Sequence, residues 1–153
     1  MSESRIVETD ERFPSGPWKG FFLQKSHPGR NWMKLELTFA EGKVVGSGSD
    51  WVGKFVMNGS YETESGKCQM LKGYVGRHSV NYQGYNEGKG IWGTWRFESV
   101  DHGGFYIWPE GMPDPTEPVL AEKADLPAVV VSGNHADDEV VVRPFDKAGA
   151  SKK

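Results

Sequence analysis

Six tryptophans and five tyrosines in 153 residues make the aromatic rings the first candidates for chemistry. Trp18, Trp51, Trp92 and Trp108 are read as the walls or lid of a pocket for a small, partly apolar ligand. The competing reading is that large rings fill a small core opposite glycines. Trp51 fits that second reading least, because it stands in Asp50-Trp51-Val52-Gly53, outside any strand-like run, where it could lid a mouth or anchor an interface. Ser79, Asn81, Gln83 and Tyr85 form a polar stripe opposite His78, Val80 and Tyr82. Turned inward, the stripe would line a cavity with hydrogen-bonding groups; turned outward, it is an ordinary solvated strand face. These eight residues are the expected ligand contacts.

Other chemistry finds less support. The four histidines, His27, His78, His102 and His135, make no ligand spacing with one another or with Cys68, so no metal is expected. His135, Asp137, Asp138 and Glu139 read as an acidic turn before they read as a cation site. Asp101-His102 and His78-Ser79 supply the residue types of a hydrolytic triad, but no nucleophile elbow or oxyanion turn surrounds Ser79. Phosphate-binding and dinucleotide glycine motifs are absent, and no cofactor is expected. A net charge of −3 without a Lys/Arg cluster argues against nucleic acid. No window has the length or apolarity of a membrane span, and the polar, acidic start does not read as a secretory signal. Cys68, the single cysteine, excludes an intrachain disulfide and suits a reducing interior, so a soluble, cytoplasmic protein is expected.

These residues need a scaffold, and the chain reads as all-β. Between Trp18 and Trp108 it divides into eight short apolar or alternating runs closed by turn residues: 18–25, 32–39, 43–49, 54–62, 67–75, 78–85, 90–97 and 103–108. The second is clearest, with Met33, Leu35, Leu37 and Phe39 alternating with Trp32, Lys34, Glu36 and Thr38. Ala40-Glu41-Gly42, Glu64-Ser65-Gly66 and Asn86-Glu87-Gly88 are short glycine-ended loops, too short for parallel crossovers, so successive strands should pair antiparallel as a meander. Closure of the first strand on the last would remove both exposed edges and give an eight-stranded up-and-down barrel. An open sheet or a two-layer sandwich would show the same alternation. Glycines inside the runs, at Gly48, Gly59, Gly73, Gly84 and Gly93, suggest bends or rings lying on bare backbone.

The expected organisation is a disordered segment 1–14, a barrel 15–110 and a Pro-rich acidic extension 111–153. The barrel region is nearly neutral, with 11 Lys/Arg against 9 Asp/Glu, while the extension carries 5 against 8. Within the extension, Ala128 to Val131 and Glu139 to Val142 are two β-branched runs. They could form a hairpin over 128–143 docked on the barrel or on a second chain, or add a strand to a partner's sheet, or remain disordered.

Gly59-Ser60-Tyr61, His78-Ser79 through Gly84-Tyr85, and Gly93-Thr94-Trp95 together resemble the strand grammar of avidin-type barrels, and more broadly of calycin-like small barrels. The resemblance implies an eight-stranded up-and-down barrel that holds a small ligand. At the ligand positions the chain departs from the family: Gly20 stands where a ligand-binding asparagine follows the first tryptophan, and Gly46-Ser47-Gly48-Ser49-Asp50 replaces a tyrosine with a following hydroxyl residue. It therefore implies fold more than biotin. Two functions follow as expectations. The first is a non-catalytic barrel binding a small ligand. The second is a protein-interaction or self-assembly module, possible as a homo-oligomer, acting through the barrel surface or the 128–143 segment.

Overall fold

The computed structural model describes residues 7–117 and is all-β. Its eight strands are β1 (Gly16–Gln24), β2 (His27–Ala40), β3 (Lys43–Ser49), β4 (Lys54–Tyr61), β5 (Lys67–Tyr74), β6 (Ser79–Asn86), β7 (Ile91–Phe97) and β8 (Asp101–Pro109). Each pairs antiparallel with the next, and β1 pairs with β8 from Trp18↔Pro109 to Phe22↔Phe105, so the sheet closes into an up-and-down barrel. At this coarse level the fold is calycin-like, and closure decides against the open sheet and the sandwich. No helix among the described residues is long and apolar enough to cross a membrane.

Strand parity sets what lies inside. Met33, Leu35, Leu37 and Phe39 of β2 are buried while their neighbours Lys34, Glu36 and Thr38 are exposed, the pattern that their alternation predicts. The interior is filled by side chains from all eight strands, Trp18, Phe55, Tyr82, Trp95 and Phe105 among the largest. Two glycines show why large rings fit so small a barrel. A Cβ on Gly48 would lie 2.7 Å from the Phe55 ring, and one on Gly103 would lie 2.8 Å from Trp95 Nε1. Both rings therefore rest on bare backbone.

β2 begins at His27, five residues before the sequence suggests. Pro28 and Gly29 read as a break, yet the strand runs through them. Gly29 takes φ +94°, and the β1–β2 pairing shifts register between Phe22 and Gln24 to accommodate the hairpin end.

Of the segment 1–14 expected to be disordered, residues 1–6 lie outside the described residues and 7–14 take a defined path. From Val7, which bridges to Ala40, the chain is fixed across one mouth of the barrel rather than disordered. Phe13 is fully buried, with its ring against Phe39 and Tyr61 at 5.4 and 4.7 Å. Arg12 donates to the carbonyls of Asn86 and Thr63, and Asn86 Nδ2 donates back to the Arg12 carbonyl at 2.6 Å. Burying one phenylalanine supplies about 2 kcal/mol toward ordering this strap, to which these bonds add. Residues 118–153, including the 128–143 segment read from sequence as a hairpin, a partner strand or disorder, lie outside the described residues.

Candidate functional site

Opposite the Phe13 strap, the other mouth holds the only buried charges of the described barrel interior. On β5, Cys68, Met70, Lys72 and Tyr74 share the inward face, so parity carries a lysine into the core between two hydrophobes and a tyrosine. Lys72 is 1% exposed. Its ammonium lies 4.4 to 5.2 Å from the ring centroids of Phe55, Phe22, Tyr74 and Tyr82. Such a ring cage favours a cation electrostatically.

The counter-charge comes from the β3–β4 loop. Asp50 Oδ2 accepts from Lys72 Nζ at 2.7 Å and from the Tyr74 hydroxyl at 2.6 Å, and its side chain is fully buried. Lys72 Nζ also donates to the Tyr82 hydroxyl at 3.1 Å and lies 3.5 Å from Met33 Sδ. The other carboxylate oxygen, Oδ1, accepts from the amides of Val52 and Gly53 at 2.9 and 3.3 Å. One carboxylate thus ties the loop backbone to the barrel interior. Burial pulls the Lys72 amine down from 10.5 to about 8, with Asp50 opposing the fall through its charge and hydrogen bond. Burial, with the nearby Asp50 carboxylate, holds the Tyr74 and Tyr82 phenols well above their ordinary range.

The same loop carries Trp51. Its ring stacks on His27 at 4.3 Å and 18°, and its indole nitrogen donates to Asn31 Oδ1 at 2.9 Å. Asn31 is itself buried, and its amide donates to the carbonyls of Phe22, His27 and Gly29. The β1–β2 hairpin end and the β3–β4 loop are therefore latched together above Lys72. His78 lines the same rim, its ring 5.1 Å from Tyr74 and 4.9 Å from Phe97.

The eight residues singled out from sequence are not gathered in one place. Trp51 sits at the polar mouth. Trp18 is interior but at the strapped end, against Phe39, with its indole donating to the Pro14 carbonyl at 2.9 Å. Ser79, Asn81, Gln83 and Tyr85 all face outward on β6, so the stripe is a wall surface and not a cavity lining. Trp92 and Trp108 also face outward, since their neighbours Ile91, Gly93, Phe105 and Ile107 point in. Lys72, Tyr74, Tyr82 and Asn31 were not singled out; the signal for Lys72 was its parity with Cys68 and Met70.

Cys68 is buried and its thiol is pushed up to about 12 by desolvation, which makes it a packing residue. Among the described residues, no group of three His, Cys, Asp or Glu is placed to hold a metal ion. No family model matches the chain, and neither does any curated protein or solved structure.

Proposed function

We propose that the barrel is a non-catalytic binding protein for a small, partly apolar molecule carrying a carboxylate, taken up at the Asp50–Trp51 mouth. The observation that carries this reading is an ammonium 1% exposed inside a barrel, caged by four rings and neutralised by a carboxylate on a loop. When the loop swings out, Asp50 leaves the Lys72 ammonium and the Tyr74 hydroxyl to a ligand carboxylate, while the ligand's apolar part takes the place that Val52 vacates against the core. The resemblance to avidin-type barrels supports a ligand-holding barrel in the same way. The lone buried Cys68 suits a reducing compartment, and a cytoplasmic location belongs to this proposal.

The test is calorimetric titration with straight-chain carboxylates from butanoate to decanoate, alongside the matching alcohols. The Trp51 indole N–H resonance is followed in parallel. Saturable binding of one or more carboxylates, absent for the alcohols and lost in Lys72→Met, is the expected result. A series in which nothing saturates would remove the mouth as a ligand site and leave the Asp50–Lys72 pair a structural tie.

A further inference from the structure

Among the described residues, Lys72 is the only buried lysine. The groups around its Nζ are those that amine–carbonyl chemistry uses. Asp50 Oδ2 stands at 2.7 Å and the Tyr82 hydroxyl at 3.1 Å, and the Tyr74 hydroxyl is held 2.6 Å from the same carboxylate oxygen. A carboxylate takes a proton from an ammonium and a phenol donates to a carbonyl oxygen, the two transfers that imine formation needs. Four rings with centroids 4.4 to 5.2 Å from Nζ keep out bulk water, which would return an imine to amine and carbonyl. Burial also lowers the amine to about 8, so about a tenth of it is neutral at pH 7, against about one part in 3,000 at the ordinary value of 10.5. A neutral lysine in an apolar site is a nucleophile.

The charge balance suits the site as well. An ammonium and an aldehyde give a protonated imine and water, so one positive charge is present before and after. The rings and the carboxylate that hold the ammonium are therefore placed to hold the iminium. The cover over Nζ is a short turn. Two 3.1 Å bonds between the Asp50 and Gly53 backbones close it, and Trp51 latches it to Asn31 and His27. Val52 is the residue of this turn that packs against the core, so a small apolar group can take its place when the turn lifts.

We propose that Lys72 captures small apolar aldehydes as a reversible imine at the Asp50–Trp51 mouth, an inference that rests on the reading that this mouth opens to a small ligand. As the pair separates, the ammonium gives one proton to Asp50 Oδ2. The Nζ lone pair forms the C–N bond to the carbonyl carbon while the Tyr82 hydroxyl protonates the carbonyl oxygen and recovers its proton from Nζ. The resulting carbinolamine hydroxyl takes the proton from Asp50 and leaves as water as the C=N bond forms. Asp50 is again a carboxylate and faces an iminium in place of an ammonium.

The test treats the full chain with butanal or hexanal and cyanoborohydride at pH 7, which reduces an imine to a stable secondary amine. Peptide mass spectrometry then locates the alkyl group. The expected result is one alkyl group on Lys72, ahead of the exposed lysines, and several-fold faster alkylation in Trp51→Ala, whose turn is unlatched. Lys72→Arg keeps the cation and should lose the fast-reacting site, but the map of the wild-type chain decides by itself. Alkylation confined to exposed lysines, with Lys72 unmodified, overturns the inference. The carboxylate titration separates the two readings: saturation by carboxylates with Lys72 unalkylated overturns the imine alone, and neither signal overturns both.

Discussion

Replacing Asp50 by asparagine removes one charge from the barrel mouth and almost no volume. The new amide oxygen can still accept from the Val52 and Gly53 amides, so the loop turn is kept and the perturbation falls on Lys72 and Tyr74. Lys72 already titrates at about 8 instead of 10.5, which at about 1.4 kcal/mol per pKa unit is a destabilisation of about 3 kcal/mol at neutral pH. Without the carboxylate its pKa falls further, and full neutralisation at pH 7 would bring that penalty to about 5 kcal/mol. The two hydrogen bonds to Oδ2 are lost as well, each worth about 1.5–3 kcal/mol when one partner is charged. Part of this is returned because a carboxylate no longer has to be desolvated. The expected net cost of Asp50→Asn is about 3–5 kcal/mol, the usual cost of orphaning one partner of a buried pair. For a chain of this length that lowers the melting temperature by roughly 6–20 °C. Lys72→Met should cost a similar amount, since it strands Asp50. In the double variant neither charge remains, and methionine fills the lysine stem's place among the four rings. The double variant should therefore be at least about 2 kcal/mol more stable than the sum of the single losses predicts. Urea unfolding of all four proteins at pH 7 measures this. Single losses below about 1 kcal/mol, or strict additivity, would refute a buried, coupled ion pair.

Between about pH 8 and 10.5 the unfolded chain holds a proton on Lys72 that the folded chain has released, so this residue makes stability rise with pH. Cys68, raised to about 12 from 9.0, and the raised phenols of Tyr61, Tyr74 and Tyr82 act in the opposite sense above about pH 9 to 10. The urea midpoint should thus climb from pH 8 to 9 and then fall, and Lys72→Met should abolish the climb. Gly103→Ala would place a Cβ 2.1 Å from the Leu23 carbonyl and 2.8 Å from Trp95 Nε1, wedging into the 2.9 Å bond between them. It should cost about 1–3 kcal/mol or more by thermal melt, and a neutral result would mean that the seam yields to an added methyl group. Trp51→Ala removes the latch that holds Asp50 on Lys72, so it should tighten carboxylate binding by calorimetry without unfolding the barrel, and an unchanged affinity would mean that the loop does not gate the site. Threonine at Ser79, Asn81 and Gln83 together should leave both affinity and stability within about 0.5 kcal/mol, as expected of an exposed strand face.

The barrel was legible because its signals are local. Alternation in β2 and short glycine-ended loops specify half-buried strands in a meander, and closure follows from the need to hide two edges. The site was less so, because its partners lie far apart in the chain. Lys72 and Asp50 are 22 residues apart and meet only once β3, β4 and β5 are in register. Leu71 also misleads: it is the apolar neighbour, yet it faces out at 45% exposure while the lysine turns in. The polar stripe on β6 could be assigned a face only from parity, and that parity is set by Val80 and Tyr82, which pack inside.

One signal for the outer layer was present in the sequence. Most strands alternate, but β1 reads Phe21-Phe22-Leu23 and β8 reads Phe105-Tyr106-Ile107-Trp108, apolar on both faces. Loss of the period of two in a strand means burial on both sides. These strands are adjacent, joined by the pairs Phe21↔Tyr106 and Phe22↔Phe105. The pairing sends Phe22 and Phe105 into the core and Phe21 and Tyr106 to the outside, where both are nonetheless buried. A closed barrel has only one interior, so a pair of neighbouring strands written for two cores needs cover on the outside, and Leu23, Trp92 and Met112 pack there. The same argument explains why the seam, and not the β3–β5 wall, carries the outer rings: there Val45, Val56 and Leu71 remain 41–52% exposed as scattered single hydrophobes, which need no cover.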